Sequence, residues 1–403
     1  MSNFNVSRFD HHETDPDEPP PSPVSPAMET PKASQLTLAI ARPAPPFDFG
    51  RVAANDDTLS KEVGNGLQAK IVRGRAIEIA PRIPKVTGNP SEEPRSRPER
   101  AREFAAVEFR NELPQDVLAR YRETNVLVSS GLAVGCLVSI TAVAAGVMAL
   151  FQVNWQLAVA FYPLAGAVIA RQQRGLELLV HDGSHKAWYR KNPKINDFLT
   201  NVLAAYPSFT DVAQYWVFHK IHHADYGSEQ DPCKRRFESM RSAFEPGGLL
   251  PTMVSYATGW YREAARKPAA LVRAAAWHLC VFLIPLGMAL GWSTALIAWA
   301  LFWLIPQFAF LPWLRFIAEL EEHDYSDGQT ESSGTYTNVG WLHTWIVHPL
   351  KDGYHLIHHA FPSVPQWKHK ALHKRLMEVS PKYRASRGRT KLLGGSTALR
   401  NVD

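Results

Sequence analysis

Cysteine is nearly absent: Cys136, Cys233 and Cys280 are three in a chain of 403 residues, scattered and without a CxxC pair. That excludes a disulfide framework and fits a reducing compartment. No GxGxxG opens a helix, no HPGG haem motif occurs and no cysteine set suits an iron–sulfur cluster. The first residues lack the charged start and apolar core of a secretory signal. No nucleic-acid-binding motif accompanies the formal charge of +6 and pI near 9.1, so no nucleic-acid partner is expected. Charge is also missing from four long stretches, and those carry the first positive signal.

Residues 126–151 and 274–292 contain no charged side chain, and neither do the neighbouring runs 154–170 and 294–314. The slightly negative mean hydropathy hides them, because the first 105 residues are polar and hold 15 of the 30 prolines. A span needs roughly 20 apolar residues. These runs are apolar all round rather than striped, which sets them apart from buried helices of a soluble core. They fall into two pairs with short uncharged links, "QVN" and "GWS". Basic segments such as "RQQR", "KAWYRKNPK" and "CKRRFESMR" all lie on the other side. The positive-inside rule therefore puts both termini and both large polar segments in the cytoplasm, in a bacterial inner membrane. The expected architecture is all-α and integral to the membrane: four transmembrane helices in two hairpins, with a cytoplasmic helical cap. Residues 1–105 form a Pro-rich, largely disordered tail, 106–385 the membrane domain and 386–403 a flexible basic tail. Within the first of these, "QAKIVRGRAIEIAP" has the pattern of a short strand or turn.

Nine of the 16 histidines are grouped: His181 and His185 (HxxxH), His219, His222 and His223 (HxxHH), His323, and His355, His358 and His359 (HxxHH). On a helix, positions i, i+3 and i+4 share a face about 5–6 Å apart. Neutral imidazole ligates Fe, Zn, Cu or Ni and suits Mg or Ca poorly. Nine donors exceed the roughly four to six of one ion, and fit two metals with open positions. One HxxxH arises easily by chance, but this set on a single side of the spans does not. The remaining histidines read as ordinary. His278 lies within the third span, bonded to a neighbouring helix; His343 and His348 lack box spacing. His369 and His373 sit in "WKHKALHKRLME", read as an amphipathic helix on the membrane surface.

The order HxxxH, HxxHH, His, HxxHH over residues 120–385 resembles the membrane fatty acid desaturase and hydroxylase superfamily. Gly227–Pro232 match its GxxxDP, and "HHAFPSVPQW" resembles the HH-x-FP-x-VP ending of acyl-lipid desaturases. The resemblance implies a di-iron centre in the cap, ligated by all nine histidines, with O₂ as co-substrate. It also implies attack on an unactivated C–H bond: desaturation, or hydroxylation as the alternative outcome. The HxxxH first box places the chain nearer the bacterial and plastid acyl-lipid type than the acyl-CoA branch. That branch has an asparagine holding a water one turn before the isolated histidine. Glu319 stands there instead, as a metal or water-holding candidate. Metal-bound histidines usually donate their second N–H to a carboxylate or carbonyl. Asp182, Asp225, Asp231, Asp352 and Glu177 are placed for this, and Asn338 is a candidate to line the site.

The implied substrate is a membrane acyl lipid. Some bacterial relatives act on small amino-acid-derived metabolites, so a rhizobitoxine-like compound is the alternative. Lacking a haem, flavin or iron–sulfur motif, the chain needs an outside reductant, expected to be a ferredoxin-like protein drawn to the basic face. A metal transporter or haem anchor is the reading from another class. A transporter needs ionisable groups at the midplane, and a haem needs facing histidines within spans; only His278 lies inside one.

Overall fold

The computed structural model describes residues 71–72, 75–76, 109–326 and 330–402. Helix α1 (Gln115–Arg122) leads to α2 (Val126–Val153), started by Asn125, whose side chain accepts from the Leu127 and Val128 amides. Asn154 ends α2 and caps α3 (Trp155–Ser184) by accepting from Leu157 N at 2.9 Å. One linking residue leaves α3 packed back along α2. Then come α4 (Pro193–Thr200), extended by a π-helical turn to Ala205, α5 (Val212–Ala224), α6 (Pro232–Met240) and α7 (Leu249–Ala265). Two long helices follow, α8 (Pro268–Leu290) and α9 (Trp292–Glu322). Gly291 alone joins them at φ +86°, a left-handed conformation that glycine adopts without steric cost.

Helices α2, α8 and α9 are long and apolar enough to cross a bilayer. Their outer faces carry exposed Val138, Met288 and Ile297, which water would penalise and lipid would not. The run expected as the second span, 154–170, is the first half of α3. Its apolar part stops at Arg171, and the helix continues through Arg174 and Glu177 to the first histidine box. Three helices, rather than four, therefore meet the length and hydropathy of a span among the described residues.

Beyond α9 lie α10 (His355–Ala360), α11 (Gln366–Val379) and α12 (Pro381–Ala385). Phe109, Leu118, Leu356, Phe361, Leu372 and Tyr383 form their shared core. This overturns the surface reading of α11: His369 and His373 are buried, the first against the Val364 carbonyl and the second against the Tyr383 hydroxyl. Only the Lys370 and Lys374 side of the helix is exposed.

The C-terminal segment, expected as a flexible tail, is folded. Strand β3 (Thr337–Asn338) pairs in parallel with β4 (Arg387–Arg389), and β4 pairs antiparallel with β5 (Thr397–Ala398). Leu399 closes the cap core, while Arg389 and Leu393 N donate to Glu321 at the end of α9. Single-sequence reading saw only basic, Gly-rich composition there, because the pairing partner lies far away in the chain. Strands β1 (Ile71–Val72) and β2 (Arg75–Ala76) form a short antiparallel ladder, and the rest of 1–105 lies outside the described residues.

Candidate metal centre

Four elements deliver the nine grouped histidines. His181 and His185 occupy the last turn and end of α3. His219, His222 and His223 share one face of α5, which Asp211 starts by accepting from Gln214 N. His355, His358 and His359 make up α10, and His323 is the residue at which α9 stops. They converge as two groups, buried except for the half-buried His185 and His223. His181, His185, His219, His223 and His358 form one; His222, His323, His355 and His359 form the other. Within the first, His181 Nε2 lies 2.9 Å from His219 Nε2 and 2.8 Å from His358 Nε2. His223 Nε2 is 2.9 Å from both His219 and His358. In the second, His222–His359 and His355–His323 Nε2 pairs are 3.2 and 3.1 Å apart.

All of these contacts are between Nε2 atoms. A neutral imidazole carries one N–H, so rings meeting nitrogen to nitrogen cannot all satisfy one another. Burial holds His181, His219, His223, His323, His358 and His359 well below the ordinary histidine pKa, so added protons are not the remedy. Converging lone pairs in a dry site call for cations, and an all-imidazole donor set fits a pair of borderline transition ions such as iron. The outer nitrogens of three rings point away to partners that fix their tautomers. His222 Nδ1 faces Asp231 Oδ1 at 3.0 Å and His359 Nδ1 faces Glu331 Oε1 at 2.9 Å. His323 Nδ1 faces Thr335 and Tyr226 hydroxyls at 3.3 and 3.4 Å. Burial would lower the His222 pKa, but Cys233 and Asp231 outweigh it and hold it well above the usual range. Asp231 in turn accepts from the Gly227 and Cys233 amides, which anchors the GxxxDP segment under the ring.

The profile of the fatty acid desaturase family matches residues 153–391. The chain belongs to the fatty acid desaturase family. It is 29% identical to a dihydrorhizobitoxine desaturase of Bradyrhizobium elkanii, over 69% of this chain and 83% of that protein. Chloroplastic omega-6 fatty acid desaturases of Brassica napus and Arabidopsis thaliana are each 24% identical, over 61% of this chain. The match spans about three-fifths of either plastid protein (60% and 59%).

The desaturase distributes its other predicted site residues unevenly. Asp231 meets a histidine. Asp182 instead accepts the Gln366 backbone N–H with both carboxylate oxygens, and burial raises its pKa to about 8. The Gln366 amide then lies 3.5 Å from His181 Nδ1. Asp352 binds His348 Nδ1 and Arg174, and Asp225 caps α5. Glu319, the candidate for a metal or its water, pairs with Arg236 at 2.8 Å rather than joining the histidines. Glu177 pairs with Arg315 and Arg174 rather than with His181. Asn338 donates to the Glu321 carbonyl behind the site.

Sequence reading missed Glu331, placed by a Thr330–Ser333 capping box whose TxxS spacing was the available signal. It also missed a buried trio, Glu321 with His343 and His348, which ties the end of α9 to the segment before α10. Beside the histidines lies a cavity of about 170 Å³ that His181, His219, His222, His323 and His355 help to line. Replacing Asp231 or Glu331 by Ala removes the acceptor of a ring N–H. Either change should weaken metal affinity about 10–100-fold, measured by chelator competition. Unchanged affinity in both variants would mean that these carboxylates do not support the rings.

Proposed function

We propose that the chain is an O₂-dependent membrane desaturase with two irons held by His181, His185, His219, His223 and His358 on one side and His222, His323, His355 and His359 on the other. The convergence of nine imidazoles, seven of them buried, into groups of five and four carries this reading. When bound, the irons supply the activation of O₂ needed to break an unactivated C–H bond. The protein's part is placement. Asp231, Glu331 and Thr335 hold the ring N–H groups of His222, His359 and His323 so that their Nε2 atoms face inward. The packed cap keeps water from the histidines. The cavity brings one carbon pair beside them. Overall, a CH₂–CH₂ unit loses two hydrogens to become CH=CH, and O₂ takes these with two electrons and two protons to give two waters.

The electrons come from outside, from a ferredoxin-class carrier docking on the basic face. The first half of α3 serves as a short fourth passage, with the histidines and termini on the cytoplasmic side of an inner membrane. The substrate is aliphatic, either an acyl lipid or a small amino-acid-derived compound of the kind suggested by the name of the Bradyrhizobium relative. Purified protein should hold two irons per chain and, with O₂ and reduced ferredoxin, form a product two mass units lighter than its precursor. One zinc or one haem per chain would overturn the centre. A product sixteen units heavier would make the enzyme a hydroxylase, and turnover with NADPH alone would remove the carrier.

A further inference from the structure

The cavity beside the histidines is ionic. Four basic and five acidic side chains line it, alongside Phe209, Phe308 and Trp260. Five of these nine charges come from the same helices that carry the histidines. Arg174 and Glu177 lie on α3 ahead of His181, and Arg315, Glu319 and Glu322 lie on α9 ahead of His323. They are knitted together. Arg315 Nε donates to Glu177 at 2.8 Å, and Arg236 donates to Glu319 at 2.8 Å. Arg174 reaches Glu322 and Asp352 at 3.5 and 3.4 Å. The Arg236 and Arg315 guanidiniums both lie over the Trp260 ring. These side chains are almost wholly buried, Arg236 at 5% and Arg315 at 7% exposed.

Burying so many charges costs several kcal/mol per ion in desolvation, recovered only through close pairing. An acyl chain would pack against the apolar part of this lining, which includes Leu178, Phe209 and Phe308, but would meet none of its ionic groups. With five acidic against four basic groups, a lone anion would deepen the imbalance, and a lone amine would engage the carboxylates alone. A zwitterion adds no net charge and offers a partner to each sign: its carboxylate to a guanidinium fork, its ammonium to a glutamate. The unpaired Gln307 Oε1 on the wall is a further acceptor for that ammonium. The volume, near 170 Å³, lies below the ~300 Å³ of sites for larger ligands.

We propose that the substrate is a small zwitterion of the amino-acid class, gripped by this ionic lining while its aliphatic arm reaches the histidines. This rests on the desaturase reading and keeps its stoichiometry, with the ferredoxin-class carrier supplying two electrons and O₂ leaving as two waters.

The test compares native cells with the gene intact, deleted and restored. Mass spectrometry follows both the amine-bearing small molecules and the lipid acyl chains. The expected result is a gene-dependent compound two mass units below its precursor among the small amines, with the acyl profile unchanged. A gene-dependent loss of two units in acyl chains alone would overturn the proposal and leave the desaturase reading standing. No such loss in either pool, with two irons per chain, would sink the reading itself. Restoring the gene as Arg315→Met with Glu177→Met removes one ion pair without orphaning either charge. It should lower the amine product about tenfold or more at unchanged iron content. If that variant fails to hold iron, Glu319→Gln at the Arg236 pair reads the same quantity. Full amine product from an iron-loaded variant would overturn the assignment.

Discussion

Changing His358 to alanine will give a folded protein that binds less iron and makes no product. Its Nε2 sits within 2.9 Å of both His181 and His223, so it joins the α3 and α5 donors of the five-histidine group. Its neighbour on α10, His359, belongs to the other group. Losing one ring should therefore empty one metal position first and disable the pair. Far-UV circular dichroism and iron per chain separate loss of fold from loss of metal. His278→Ala is the control: His278 is buried in α8 and receives the Trp299 N–H, far from the nine in sequence and role. That variant should keep two irons. Two irons and full turnover in His358→Ala would remove this residue from the centre.

Gly183→Ala should be almost as damaging, although the residue binds nothing. It lies between His181 and His185, where a methyl would sit 2.4 Å from Thr200 Oγ1 and Cγ2 on α4. Both helices are fixed there. Asn196 on α4 donates to the Gly183 carbonyl at 2.8 Å and receives the Trp188 amide. Overpacking at such a contact costs about 1–3 kcal/mol and moves backbone. Here the backbone that moves carries two members of the five-histidine group. Iron content should fall with a lowered Tm. Adding Thr200→Ala removes the Oγ1 and Cγ2 clash and should restore much of both. If Gly183→Ala alone keeps its iron and Tm, α3 and α4 are not rigid here.

How much of this is legible in one sequence depends on whether the information is local. The helical spacing of HxxHH is local, so the shared faces of α5 and α10 can be read directly. So can the uncharged runs that became α2, α8 and α9. The supporting groups are harder. Asp231 is legible because GxxxDP follows its histidine closely in the chain. Glu331 and Gln366 reach histidines that are distant in sequence, through turns whose direction no periodicity encodes. Glu177 and Glu319 sit one helical turn before histidines, where Glu177 is expected to accept a ring N–H and Glu319 to meet a metal or its water. Arg315 and Arg236, from other elements, capture them instead. The ordered C-terminal strand was invisible for the same reason, since β4 finds β3 some fifty residues upstream.

Helices α3 and α9 each carry cavity charges and a histidine on one continuous rod. With a rise of about 1.5 Å per residue, Arg174 stands about 10 Å along the axis from His181, and Arg315 about 12 Å from His323. A helix does not stretch, so these offsets act as a ruler. On the proposed grip, they would set how far along a tethered molecule the oxidised carbons lie, whatever the loops around them do. Enzymes of this build would change the position of the new double bond by moving the gripping residues up or down by whole turns, leaving the metal box untouched.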